Sequence, residues 1–233
     1  MTVLHLADDG EAADLAAFLS RLLHYDRGAA VRLQAAGTAL AVFGRPPSFE
    51  VLAIRAVRLS KPYENGLDVT LDVTVSAGEL LESVDEAAAT AVVPAAVTGP
   101  PWAGVLPPRG GWRRETGLPA PGELRTAVGA AVAEFRSRTQ ELAPERRTRA
   151  ELDRIGREIW SRTIGETRLP VRAVHAAQSL GFLRPRGAPG QGGAGEPGDL
   201  GLLSSGAWLR LRTPYGSIAV RRAGLGALDV SVR

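Results

Sequence analysis

Side chains able to do covalent or metal chemistry are scarce in this chain. Its three histidines, His5, His24 and His175, lie far apart in sequence, and there is no cysteine. A thiolate nucleophile, a disulfide framework and a cysteine-held zinc or iron–sulfur site are therefore excluded. The segment Gly190-Gln-Gly-Gly-Ala-Gly195 spells a dinucleotide-binding loop. That loop works only where a buried strand delivers its glycines to a helix N-terminus, so that backbone amides meet pyrophosphate. Here Pro189 and Pro197 flank it, and it reads as linker. No P-loop, nucleophile elbow or His-Glu-x-x-His run occurs. The sequence points away from an enzyme, with no catalytic residue, metal ligand or cofactor to name.

Arginine is the abundant chemical group, and its placement is uneven. Residues 1–145 carry 13 basic side chains against 18 acidic ones, whereas residues 146–233 carry 15 arginines against seven acids. The scarcity of lysine (Lys61 alone) reads as codon usage in a GC-rich genome, so position says more than number. In 145–162, Glu145/Arg149, Asp153/Arg157 and Glu158/Arg162 are acid-before-base i,i+4 pairs, which describe a solvated helix face that neutralises itself. Further on, Arg172, His175 and Ser179 share the polar side of a short helix whose apolar side is Val171, Val174 and Ala177. Arg210 and Arg212 alternate with Leu209 and Leu211 in a strand, and Arg221 and Arg222 end the next one. These seven polar residues are the candidate nucleic-acid contacts, with DNA or RNA as partner. The alternative is a protein partner that docks on the loop carrying Trp102, Arg109, Trp112, Arg113 and Arg114, since Trp and Arg commonly anchor interfaces.

The elements that must position these groups follow from periodicity. A short strand at 3–7 precedes a helix capped by Asp8 or Asp9 that runs to about Tyr25, with Leu15, Phe18, Leu19, Leu22 and Leu23 at helical spacing. Ala30–Ala35 and Thr38–Phe43 read as a hairpin turning at Ala36-Gly37. Phe49–Leu59 and the alternating Leu67–Val75 are further strands, and Ser76-Ala-Gly-Glu79 has capping-box spacing for a second helix. Residues 91–120 are rich in Pro and Gly and read as an ordered connector. Helices are expected over 121–142, 144–163 and 170–180, the last closed by Gly181. A glycine-rich loop over 187–200 and strands near 207–212, 217–222 and 228–232 finish the chain. The uncharged run 87–108 has membrane length, but its five prolines preclude an unbroken helix in lipid. With no basic segment at the start, no membrane contact and a cytoplasmic location are expected.

The fold class is thus α+β. A mixed or antiparallel N-terminal sheet flanked by two helices (1–90) leads through the connector (91–120) to a helical and β-ribbon unit (121–233). The order strand, helix, four strands, helix, ending in Leu71-Asp-Val-Thr-Val-Ser-Ala-Gly-Glu-Leu-Leu-Glu-Ser-Val84, resembles one repeat of the bacterial DNA sliding clamp family. The resemblance covers about 86 residues and carries no functional residue with it. The run Val171–Leu183, followed by Trp208-Leu-Arg-Leu-Arg and Gly216–Arg222, resembles the winged helix-turn-helix superfamily, which implies DNA contact. The last strands have two possible places, a wing of that kind or a return to the N-terminal sheet. The functional expectation is a non-enzymatic, nucleic-acid-binding or regulatory protein, with the interaction module as its alternative.

Overall fold

The computed structural model describes residues 2–63, 71–184 and 200–222. The expected strand at 228–232, most of the glycine-rich loop and the turn before Leu71 lie outside the described residues. The α+β class holds. In chain order the elements are β1 (Val3–His5), α1 (Asp9–Tyr25), β2 (Ala30–Gly44), β3 (Leu52–Tyr63), β4 (Leu71–Ser76), α2 (Ala77–Glu82), β5 (Val84–Asp85), β6 (Thr90–Val92), β7 (Arg113–Glu115), α3 (Pro121–Gln140), α4 (Arg149–Trp160), α5 (Val171–Ser179), β8 (Gly201–Ser205), β9 (Trp208–Thr213) and β10 (Gly216–Arg221). Among the described residues no helix is long and apolar enough to cross a membrane.

One seven-stranded antiparallel sheet, in the order β4-β2-β3-β10-β9-β8-β7, organises the molecule. A three-stranded sheet, β1-β6-β5, lies beside it, and just past β1 the Ala7 N–H donates to the Arg58 carbonyl of β3 at 2.9 Å. The C-terminal strands therefore do not form a wing. β10 pairs with β3, Ser217 opposite Ile54 and Ala219 opposite Leu52, and so joins the strands of both halves into one sheet.

Local signals explain the helices. Asp8 caps α1, accepting from the Glu11 N–H at 2.8 Å, and Leu15, Phe18, Leu19 and Leu22 bury its inner stripe. Gly181 takes φ +76° immediately past α5, the left-handed position that ends a helix. The stretch expected as one helix from Pro144 divides instead. Pro144–Arg146 is a 3-10 turn, and α4 starts afresh where Thr148 accepts from the Glu151 N–H at 3.3 Å.

The expected hairpin at Ala36-Gly37 is a single long strand. Gly37 sits at φ +56°, and the register of β2 against β3 shifts between Gly37 and Ala39. The bulge inverts the alternation. Val31, Leu33 and Ala35 face the main core before it, and Leu40 and Val42 face the same core after it. The first half of β2 pairs with β4 and the second with β3, so three strands stand between α1 and α2 where four were expected.

All five helices contribute to the core on one face of the large sheet, where Leu80, Leu124, Ile155, Ile159 and Val174 pack with the α1 stripe over Leu209, Leu211, Ile218 and Val57. A charged cluster is built into that layer. Arg55 reaches Glu11 at 2.8 Å and Asp14 at 3.1 Å, with all three side chains at most 6% exposed, and donates to the Tyr215 carbonyl at 2.9 Å. Arg184 meets Asp14 at 2.6 Å and stacks 3.6 Å over the Tyr215 ring. The cluster thereby ties α1 and β3 to the C-terminal strands.

Candidate functional site

Among the described residues no α-helix packs on the opposite face of the sheet. A smaller cluster of Phe43, Leu52, Ile54 and Ala219 lies there, covered by Trp102, Leu106 and Trp208. The covering chain is the Pro/Gly-rich connector, which runs over the strands in their spatial order. Val97 donates to the Thr74 carbonyl at 2.9 Å on β4. The Arg32 guanidinium on β2 holds the Ala103 carbonyl. Trp102, in the 3-10 turn Pro101–Gly104, packs over β3 and β10. Ser205 of β8 donates to the Gly110 carbonyl at 3.3 Å. The connector is thus a strap across the sheet, and it ends by supplying the edge strand β7.

Side-chain alternation brings arginine and tryptophan together under this strap. In β9, Leu209 and Leu211 enter the main core, so Trp208, Arg210 and Arg212 face the strap. Arg221 pairs across from Trp208, with its guanidinium 5.3 Å from the indole centroid. Arg210 lies 5.7 Å from the Trp112 ring, whose indole N–H donates to the Pro108 carbonyl at 3.0 Å. Beside them a cleft of about 340 Å³ opens between strap and sheet, with Trp102, Trp208, Arg45 and Arg221 among its walls and Leu52 and Ala219 on its floor. Glu50 on its rim holds a left-handed backbone at φ 51°.

The electrostatics are lopsided. Among the described residues, Arg45, Arg210, Arg212 and Arg221 have no carboxylate in salt-bridge reach, whereas Arg32 on the same sheet is held by Asp72 at 2.7 Å. Burial, and next the like charge of Arg212, pull the Arg210 guanidinium below its ordinary value. Its Nε is buried without a hydrogen-bond partner. Such a group is stabilised by any anion that reaches it.

Of the seven candidate nucleic-acid contacts, the structure gathers three here: Arg210, Arg212 and Arg221. Arg222 turns to the other side and pairs with Glu115 at 3.4 Å. Arg172, His175 and Ser179 do form the outer stripe of α5, whose Val171, Val174 and Ala177 are buried, but α5 lies on the helical face, behind the sheet. The His175 ring is stacked on Trp160 at 4.7 Å and meets Phe49 edge-on at 5.1 Å. Burial holds its imidazole below the ordinary histidine range. His175 is thus part of an aromatic seam, and α5 is separate from the arginine face.

The alternative set is divided too. Trp102 and Trp112 belong to the strap, Arg113 and Arg114 to the exposed edge β7, and Arg109 is close enough to Asp72 to help lower that carboxyl. Two contributors, Arg45 and Trp208, were not singled out from sequence. Trp208 had a signal, since it stands two residues before Arg210 and so shares its face; Arg45 had none. Among the described residues no three His, Asp or Glu side chains group as a metal site.

Fold and site together define an α+β protein whose two halves build one sheet and meet at a strap-covered arginine–tryptophan face. Residues 107–225, just over half of the chain, match the family described as Domain of unknown function (DUF8185), and the chain belongs to that family. Residues 1–104 match a second family, described as Domain of unknown function (DUF8010). No curated protein and no solved structure matches the chain. The cleft draws on both matched segments: Arg45, Leu52 and Trp102 come from the first, and Trp208, Ala219 and Arg221 from the second.

Proposed function

We propose that this protein is a non-enzymatic module that binds single-stranded nucleic acid on the strapped face of its sheet. The observation that carries the reading is the pair Arg210 and Arg212, adjacent on one strand face, unanswered by any carboxylate among the described residues, and set among Trp102, Trp112 and Trp208. Guanidinium groups supply the phosphate contacts and indoles supply stacking surfaces that accept any unpaired base. A duplex hides its bases from such surfaces. A helix could read its major groove, but on α5 the His175 ring is packed against Trp160 and Phe49.

The test is binding of a labelled oligonucleotide followed by anisotropy at two ionic strengths. If Arg45, Arg210, Arg212 and Arg221 each neutralise one phosphate of a single strand, affinity should fall about 50-fold between roughly 50 and 200 mM salt. Absence of binding at the lower salt overturns the proposal. The exposed Val105, which lines the cleft beside Trp102, favours a second reading in which an acidic protein segment docks on the same face. Salt-sensitive binding of an acidic peptide with no binding of the oligonucleotide would select that reading.

A further inference from the structure

We infer that the cleft between Trp102 and Trp208 is a slot for a single nucleotide unit, the base against the indoles and the phosphate on Arg45 and Arg221. This rests on the reading of the strapped face as a nucleic-acid surface and gives it one site that recognises more than charge. Three observations converge on the slot. The first is size: about 340 Å³ falls within the range of roughly 300–1,000 Å³ that pockets for small organic ligands occupy. The second is the order of its chemistry. The floor is aliphatic, Leu52 and Ala219, while Val51 and Val220 beside them belong to the main core, and Ala219 stands opposite Leu52 on one neighbouring strand and Arg210 on the other. A small residue between larger ones leaves a depression in the sheet. Tryptophans rise at its sides, and at its rim the Arg45 and Arg221 guanidiniums outnumber the one carboxylate, Glu50, so a ligand with a flat apolar ring and an anionic end is matched part by part. The third is that Arg210 and Arg212 continue from the slot along β9, as further phosphates of a strand would require.

A phosphate alone would find arginines anywhere on the face, and an uncharged ring would find only the floor. The slot requires both in one molecule. A free mononucleotide and one unit of a strand share this chemistry, and the experiment separates them.

Tryptophan fluorescence of the full chain is titrated with adenosine monophosphate, with inorganic phosphate and with a short oligoadenylate. Adenosine monophosphate and the oligonucleotide should quench saturably, and inorganic phosphate should not. Trp208→Ala should weaken adenosine monophosphate about tenfold, the loss expected for one stacking contact. Arg221→Gln, an exposed position at which folding is not at stake, should weaken it comparably. Arg154→Gln on α4 should leave it unchanged. No saturable response to the mononucleotide, or equal affinity in the Trp208 and Arg221 variants, overturns the slot; if the oligonucleotide still binds, the broader face survives that failure. Mononucleotide binding without oligonucleotide binding upholds the slot as a site for a free nucleotide and overturns the strand-binding reading instead.

Discussion

Two surfaces of this protein are rich in arginine, and they differ in what answers the charge. On α3 and α4, Arg138 holds both oxygens of Glu158 at 2.7 and 2.8 Å, Arg162 reaches Glu134 at 2.8 Å, and Arg154 takes Glu151 at 2.7 and 3.0 Å. On the strapped face, Arg210, Arg212 and Arg221 have no carboxylate within reach among the described residues. The α4 arginines are the denser run in sequence, yet among the described residues Arg149 and Arg154 are both paired with acids and only Arg157 is not. On the proposed reading an arginine cluster can serve a ligand where the fold withholds acid, and density along the chain is a poor guide to that.

The largest effect is expected at the limiting case of a fully answered arginine, the buried cluster around Arg55. Asp14 there is 3% exposed and serves both Arg55 and Arg184. Removing one partner of a buried ion pair strands the others in a medium that solvates them poorly. Asp14→Ala should cost about 3–5 kcal/mol of stability in urea unfolding. A loss below about 1 kcal/mol, the range of exposed ion pairs, would mean that water relieves the cluster and that it does not join the two halves of the sheet.

The opposite sign is expected on the strapped face. Arg210 is desolvated, lies beside the like charge of Arg212 and has an unpartnered Nε. Arg210→Gln should therefore raise the stability of the free protein by roughly 0.5–1 kcal/mol, as removal of a group kept for function at a cost to the fold commonly does. The same substitution should reduce the salt dependence of oligonucleotide binding by about 0.7 in logarithmic slope, one phosphate contact fewer. Destabilisation without any change in slope would make Arg210 a structural partner of Trp112 and dissolve the contrast with α4.

How much of this was legible in the sequence depends on the range over which each feature is encoded. The Asp8 cap, the α1 stripe, Gly181 and the outward stripe of α5 are written within one or two helical turns, and each appears where local spacing puts it. The bulge at Gly37 is local too, but it inverts the alternation, so Val31/Leu33/Ala35 and Leu40/Val42 look like two strands around a turn. The failures in the site are of longer range. Arg162 finds Glu134, 28 residues away, and Arg222 finds Glu115, 107 residues away; i,i+4 arithmetic sees neither. The composition of residues 91–120 announces a connector, but nothing in it says that the connector crosses the bare side of the sheet and carries two indoles to arginines a hundred residues later. Without that crossing, the C-terminal arginines and the tryptophan loop look like rival surfaces.

The paired surface should also respond to acid. Hydrogen bonding from Arg138, then the charges of Arg138 and Arg162, hold the Glu158 carboxyl down to about 2, against 4.5 for the unperturbed group. Glu134 and Glu151 are lowered as well, chiefly by Arg162 and Arg154. A carboxyl with a depressed folded value stabilises the fold fully above its unfolded value, and that contribution is lost as pH falls through the folded one. Stability should therefore decline between about pH 4.5 and 2, and Glu158→Gln should flatten that decline while lowering the plateau above it. The effect is the smallest of these, because the pairs are solvated, and unfolding followed at Trp160, which packs beside Phe135 of α3, reads it. The carboxylates are also what distinguishes the two surfaces. Glu134→Gln combined with Glu158→Gln should leave Arg138 and Arg162 unanswered and create weak, salt-sensitive oligonucleotide binding on the helices. If those freed arginines bind as tightly as the strapped face does, charge alone accounts for binding and the indoles contribute nothing to it.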